Sequence, residues 1–371
     1  MYKKKICIIY NFAQKYREGI FRLLEKEYDC DWYFGNNETD IKELDLSILS
    51  RVIRIKNKHF IHSSLTYQVG VLPLLWKKQY DIYLVLGNVF CISTWLLAFF
   101  KRIFFPNKRI YFWSHGWYGK ESQVRRLLKK IFFGLADGIF LYGNYAKELM
   151  LKEGFKGEKL FVVHNSLMYE SQLLLRNSLT PSSLYQDHFK NNYFNIIFIG
   201  RLTTVKKLNL LIDALFILKQ RGYYYNLTLI GDGCEKQQLQ QQVKSYNLAN
   251  NIWFYGACYD EIKNAALIYN ADLCVSPGNV GLTAMHSMVF GTPVITHNDF
   301  KWQMPEFEAI EPGKTGDFFI EGDVHSLAET IQFWFKNNAY KREIIREACY
   351  KKIDTEWNPQ FQLEVFKKHM V

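Results

Sequence analysis

Residues 195–207 read Asn-Ile-Ile-Phe-Ile-Gly-Arg-Leu-Thr-Thr-Val-Lys-Lys. The apolar run 196–199 predicts a short strand buried on both faces, the kind found inside a parallel sheet. Gly200 ends it, three basic residues follow, and LNLLIDALFILKQRG (208–222) has helical spacing. The same unit recurs downstream. NLTLIGDG (226–233) precedes EKQQLQQQVKSYNL (235–248), and NIWFYG (251–256) precedes EIKNAALIYN (261–270). ADLCVSPG (271–278) precedes GLTAMHSMVFG (281–291), and TPVITHN (292–298) closes the series. Residues 326–369 are mostly helical in pattern. Alternation of strand and helix means an α/β chain with a doubly wound parallel sheet.

Upstream the alternation appears a first time. KKICIIYN (4–11), CDWYFG (30–35), RVIRI (51–55), DIYLVLG (81–87), RIYFWSHG (109–116), GIFLYG (138–143) and LFVVHNS (160–166) read as strands. YREGIFRLLEKEY (16–28), 122–135 and 144–153 read as helices. A polar stretch, 166–192, interrupts the pattern and is expected to connect two domains. The expected division is 1–165, then the connector, then 193–354, with a terminal helix at about 355–371 packing back on the first domain. Two such domains facing each other would enclose a cleft lined by the carboxyl ends of both sheets.

At 371 residues with 49% hydrophobic and 22% charged side chains, each domain can bury a core. Only 8 residues are proline and no low-complexity tract occurs, which excludes disordered and collagen-like classes. The 7 cysteines have no paired spacing, which argues against a disulfide scaffold or a structural zinc site and for a reducing compartment. The 9 histidines show no metal-ligand spacing, so no metal is expected. No secretory signal is visible, because the apolar run at the start is too short. Residues 82–100 are 19 uncharged residues in a row, long enough for a membrane helix. The turn at Gly87-Asn88 divides them instead into a strand and an apolar helix.

The formal charge is +11, and residues 101–130 hold nine basic side chains against one acid, Glu121. Phe104, Phe105, Tyr111, Phe112, Trp113, Trp117, Tyr118, Phe132 and Phe133 lie among or just beyond them. Interleaving of this kind suits an anionic bilayer surface, reached through 101–133. It also suits single-stranded nucleic acid, but no nucleic-acid motif accompanies it. The plain alternative is a solvated charged face.

Two loops have the composition of a phosphate site. After Gly200, Arg201 and Lys206 precede a helix start, and glycine admits close approach of a ligand to the backbone. After Ser276-Pro277, the loop Gly278-Asn279-Val280-Gly281 leads into a helix near Leu282, with Thr283 and His286 in its first turns. Each alone also fits an ordinary basic or polar helix start.

As an ordered set, GRLxxxK, LIGDG, FYG, YNADLCVSP and GLxxxxxMxxGTPVI over 190–335 resemble the donor domain of glycosyltransferase family 4. YFWSHG and VVHNS extend the resemblance more weakly into the first domain. The resemblance implies a GT-B fold of two facing Rossmann-like domains and a retaining, nucleotide-sugar-dependent transferase. Arg201 and Lys206 would hold the donor diphosphate and stabilise it as it leaves. Asn279, Val280, Gly281 and Leu282 would hold the sugar hydroxyls and distal phosphate. Gly200, Gly231, Asp232, Ala257 and Cys258 would border the nucleotide. His115 matches the family's cleft histidine beside the transferred sugar. Asn11, Tyr16 and Arg17, after the first strand together with Tyr10, would border the acceptor.

The family's motif carries two glutamates eight positions apart, and here they fall on Gly278 and His286. His286 is then expected to accept ribose hydroxyls through a ring nitrogen, and Asn279 or Thr283 to replace the sugar contact. Glu308 aligns with a later family glutamate; it or its neighbour Glu306 could supply the missing carboxylate. The expected partners are a nucleotide-sugar donor, a glycan or lipid-linked acceptor and an anionic membrane, with no cofactor and no nucleic acid. The implied setting is capsule, O-antigen or exopolysaccharide assembly at the inner face of the cell membrane. A nucleotide-sugar epimerase of the same fold and a catalytically degenerate partner subunit are the alternatives.

Overall fold

A computed structural model describes residues 3–38, 41–60 and 64–370. The chain divides into two compact units, Met1–Met168 with Asn358–Val371, and Tyr169–Trp357.

The first unit runs β1 (Lys5–Tyr10), α1 (Glu18–Glu27), β2 (Asp29–Phe34), β3 (Val52–Arg54), β4 (Asn57–His59), β5 (Thr66–Gln68), β6 (Ile82–Leu86), α2 (Ile92–Phe104), β7 (Arg109–Ser114), α3 (Gln123–Gly134), β8 (Gly138–Leu141), α4 (Asn144–Lys152) and β9 (Leu160–Val162). Seven strands form one sheet in the order β3-β2-β1-β6-β7-β8-β9, and every pairing in it is parallel. Ile6 to Tyr10 are all fully buried, because a central parallel strand is covered on both faces. The short antiparallel pair β4–β5 has no counterpart in the sequence reading; three residues per strand are too few to show alternation.

Residues 82–100 form β6 and the start of α2, with the turn between them. No helix among the described residues is long and apolar enough to cross a membrane.

The second unit runs α5 (Tyr169–Ser178), α6 (Leu184–Phe189), β10 (Phe194–Ile199), α7 (Leu208–Gln220), β11 (Tyr225–Ile230), α8 (Lys236–Ser245), β12 (Ile252–Gly256), α9 (Glu261–Asn270), β13 (Leu273–Val275), α10 (Leu282–Val289), β14 (Val294–His297), β15 (Gly316–Phe319), α11 (Val324–Asn338) and α12 (Arg342–Glu356). Its six-stranded sheet has the order β12-β11-β10-β13-β14-β15, again all parallel. α7 buries Leu208, Leu211, Ile212, Leu215 and Leu218, one stripe at helical spacing. The stretch expected as a connector is corrected here: most of it forms α5 and α6, which belong to the second unit. Gln172 of α5 donates to Glu261 and the Tyr185 hydroxyl of α6 to the Leu267 carbonyl, so these polar residues anchor helices rather than solvate a linker.

The last helix, α13 (Pro359–His369), belongs to the first unit. Phe366 meets the rings of Trp113 and Phe140 at 4.9 and 4.5 Å, and Gln362 donates to the His164 carbonyl at 2.9 Å. Residue 371 of the expected terminal helix lies outside the described residues.

Candidate functional site

Each sheet reverses its strand order once, between β1 and β6 in the first unit and between β10 and β13 in the second. Loops leaving the carboxyl ends of such strands diverge, and the gap between them is where a doubly wound sheet holds its ligands.

In the second unit the gap is closed by backbone on backbone. Gly278 N–H donates to the Lys206 carbonyl at 3.0 Å and Asn279 N–H to the Val205 carbonyl at 3.3 Å. A Cβ on Gly278 would stand 2.0 Å from the Val205 oxygen, so no side chain fits there. The glutamate expected by resemblance is thus replaced by a position that the Lys206 loop fills. On the other side of Gly200, a Cβ on Gly231 would lie 1.8 Å from the Gly200 oxygen, at a φ of +148°. Lys207, at a left-handed φ of +49°, turns the chain from the Lys206 loop into α7.

Lys206 reaches across to donate to the Asn279 carbonyl at 2.5 Å. Burial pushes its ammonium down to about 8; the Glu306 carboxylate opposes that shift and the Arg201 guanidinium adds to it. Arg201 itself is exposed. Glu306 is buried and Glu308 half-buried on one short helix, Pro305–Ala309, and it is Glu306 whose charge acts on Lys206.

The loop before α10 is braced by a residue the sequence reading passed over. Gln303 accepts from Val280 N–H at 2.9 Å and donates to the Thr296 hydroxyl at 2.8 Å. The Val280 amide, expected on the donor, therefore already has an acceptor. Thr283 likewise spends its hydroxyl on the Ile199 carbonyl, at 3.0 Å, which ties α10 to the end of β10 rather than offering a sugar contact. Asn279 directs its amide to the Trp302 carbonyl at 3.4 Å. No side chain caps α10; Gly281 precedes it at φ +51°, and Leu282 opens it. Its first turn holds no acid of its own, so no carboxylate within the helix offsets its positive end.

His286 is not alone. Its Nε2 lies 2.9 Å from Glu261 Oε1, at the start of α9. Burial would raise the Glu261 carboxyl, but the hydrogen bonds from His286 and Gln172 outweigh it and hold the group below its ordinary value. A carboxylate therefore stands against the position where the motif lacks one. Its only sequence signal, an acid one place after the Asp260 cap, is that of any helix start. Asp232 pairs with Lys236 at 2.8 Å after β11, and Ala257 and Cys258 follow β12, with the Cys258 carbonyl accepting from Asn264.

In the first unit, the loops after β1, β6 and β7 enclose a cavity of ≈ 500 Å³. Asn11, Tyr16, Arg17 and His115 all line it, together with Tyr142, Tyr118, Glu121 and Lys129, which the sequence reading had not placed in a site. Arg17 is buried beneath four rings. Its guanidinium carbon is 4.6 Å from the Trp113 ring centre and 5.3 Å from those of Tyr10, Tyr16 and Tyr142, and one nitrogen donates to the Tyr142 hydroxyl. His115 packs on Tyr142 at 4.6 Å. Burial pushes its imidazole down to about 4, with the Arg17 and Lys129 charges adding, so it is neutral at pH 7 and suited to hydrogen bonding rather than to holding charge.

The basic–aromatic stretch 101–133 divides in two, which corrects the expectation of one continuous surface. Tyr111, Phe112, Trp113, Trp117, Phe132 and Phe133 are core. Lys101 is buried against Asp137 at 2.5 Å, and Lys129, half-buried, pairs with Glu121 at 2.6 Å. What faces solvent is the outer side of α3: Val124, Leu127, Leu128 and Ile131, an apolar stripe at helical spacing, flanked by Arg125, Arg126 and Lys130. Arg102 of α2 donates to the Gly134 carbonyl at 3.0 Å, and Phe99, Ile103 and Phe104 of α2 are exposed as well.

A Klebsiella pneumoniae protein described as an uncharacterized 41.2 kDa protein in the cps region is 22% identical over 259 residues, covering 67% of this chain and 66% of its own. The amylovoran biosynthesis glycosyltransferase AmsD of Erwinia amylovora is 28% identical over 127 residues, covering 34% of this chain and 33% of its own. The matched stretches thus span from a third to just under two thirds of these curated relatives. Among solved structures, HepE of Anabaena in complex with UDP superimposes with a TM-score of 0.69 at 16% identity, over 98% of this chain and 99% of that one. Residues 185–352, most of the second unit, match the family model described as Glycosyl transferases group 1, and the chain as a whole has the GT-B fold.

Proposed function

We propose that this chain is a retaining glycosyltransferase of the family 4 type that moves a sugar from a nucleotide-sugar to a glycan or lipid-linked acceptor in capsule, O-antigen or exopolysaccharide assembly. The observation that carries this reading is the docking of the Lys206 loop on Gly278 beside the uncapped start of α10. It places a cationic side chain and a helix N-terminus at one switch point, and that pairing suits a diphosphate. Arg201 and Lys206 neutralise the departing nucleoside diphosphate, so their interaction grows as the glycosidic bond breaks. The leaving diphosphate takes the acceptor's proton on the same face, which needs no carboxylate pair of glycosidase type. His286 and Glu261 together accept ribose hydroxyls in place of the motif's second glutamate. His115, neutral, hydrogen-bonds a hydroxyl of the transferred sugar or of the acceptor.

The outward stripe of α3 carries the membrane part of the reading. An apolar stripe edged by Arg125, Arg126 and Lys130 matches an anionic leaflet in both hydrophobicity and charge. That match supports a position at the cytoplasmic face of the cell membrane, where lipid-linked acceptors are presented.

The test is nucleotide release from UDP-, GDP-, dTDP- and ADP-sugars, with and without lipid-linked acceptor extracts. Release from one donor, stimulated by acceptor, is the expected result. Silence across the panel together with no binding of any free nucleotide would favour the partner-subunit reading instead.

A further inference from the structure

The first unit's cavity contains a buried cation for which the described residues supply no counter-ion. Arg17 is 4% exposed, and two of its three guanidinium nitrogens, Nε and Nη1, have no hydrogen-bond partner. The third bonds a neutral phenol, Tyr142. The largest electrostatic influences on it are those of Tyr10, Tyr142 and Tyr16, all phenols. Among the described residues one acid lines the cavity, Glu121, and it is already committed. It accepts from Lys129 at 2.6 Å and from the backbone N–H groups of Tyr118 and Gly119 at 2.9 Å each. The other charged lining residues, Lys120 and Arg125, are basic.

Aromatic faces attract a guanidinium, but they do not replace the water it loses. A buried ion that is neither paired nor fully hydrogen-bonded is costly, and such a group ordinarily marks a ligand that completes it. Three more buried orphan atoms belong to residues that line the cavity, Tyr10 Oη, Gln14 Oε1 and His115 Nδ1. An acceptor oxygen and a ring nitrogen beside a cation suit a polyhydroxylated ligand that also carries negative charge. The tyrosine faces suit the apolar side of a sugar ring.

We infer that this cavity is a subsite for an oxyanion carried on the acceptor glycan, a uronic-acid carboxylate or a sugar phosphate, with Arg17 as its buried counter-charge. The inference rests on the transferase reading for the word acceptor, but not for the anion. Arg17 sits at the floor, boxed by Tyr10, Tyr16, Trp113 and Tyr142, which holds the guanidinium in place before the ligand arrives. Lys120 and Arg125 attract the anion on approach.

The experiment is calorimetric titration of the full chain, without nucleotide-sugar, with three probes: methyl glucuronide, glucose 1-phosphate and methyl glucoside. At least one anionic probe should bind tenfold or more tighter than the neutral glucoside. Whichever anion prevails identifies carboxylate or phosphate. That preference should vanish in Arg17→Gln and return in part in Arg17→Lys, a loss of roughly ten- to a hundredfold for a charge-assisted contact. Melting curves accompany each titration. If Arg17→Gln is unstable, the wild type carries the test, because the preferred anion must raise its Tm and the glucoside must not. Equal binding of all three probes, no binding of any, or a preference that survives Arg17→Gln would overturn the inference. Anion binding by a protein that releases nucleotide from no donor would keep the subsite and sink the transferase reading. The reverse pattern would do the opposite.

Discussion

The switch point of the second unit is made of backbone, and that of the first of side chains. Around β10 and β13, the close contacts are Gly278 on Val205 and Gly231 on Gly200, distances that only glycine allows. Around β1 and β6, an arginine lies under four aromatic rings, and an imidazole, a glutamine and an acid–lysine pair complete the wall. A site made of backbone can bind what is common to many ligands, such as a diphosphate, because N–H groups and helix ends do not vary. A site made of side chains can differ with every acceptor. On the proposed transferase reading, the donor and acceptor halves of the reaction divide along the same line.

The largest expected effect comes from breaking the backbone contact. Gly278→Ala puts a Cβ 2.0 Å from the Val205 oxygen, so the Lys206 loop must move. A destabilisation of about 1–3 kcal/mol and loss of nucleotide binding should follow, read by thermal melts and UDP titration. Unchanged binding would mean that the tight packing at this loop does not position Lys206.

A smaller effect sharpens the electrostatic side. Lys206 sits near 8 in the free protein, and a bound diphosphate favours its charged form. Binding should therefore take up protons near pH 8. Affinity for UDP should be greatest below that pH and fall above it, by up to about tenfold per unit. Lys206→Arg, which stays charged, should flatten the profile. A profile equally steep in both would assign the dependence elsewhere.

The smallest effect concerns α3 and its outward apolar stripe. Leu127→Glu with Ile131→Glu should release the protein from anionic vesicles, and Arg125→Gln with Lys130→Gln should weaken sedimentation by about 1 kcal/mol per charge. Unchanged co-sedimentation in both pairs would remove the membrane face.

How much could be read from the sequence follows from the same contrast. Gly200, Gly231 and Gly278 at strand ends announce close approach, so the second unit's site was visible as a spacing. Its bracing was not. Gln303 and Glu261 act through distances set by folding, and neither occupies a position that sequence alone marks. In the first unit, Arg17 and His115 stood out by following strands, whereas the cage of Trp113 and Tyr142 looked like ordinary core. The basic–aromatic stretch misled for a plain reason. A parallel strand and a helix contribute alternately to core and surface, so residues mixed along the chain separate in space. Trp113 went inward and Leu127 outward. β15 was missed because GDFF follows a turn-rich segment and is only four residues long.

The most direct test of the central claim, that Arg201 and Lys206 hold a nucleoside diphosphate, is a calorimetric comparison of UDP, GDP, dTDP and ADP binding to wild type, Arg201→Ala and Lys206→Ala. The account predicts that wild type selects one nucleotide and that each variant binds it roughly 10- to 100-fold more weakly. Equal affinity in all three proteins, or no nucleotide bound by the wild type, would contradict it.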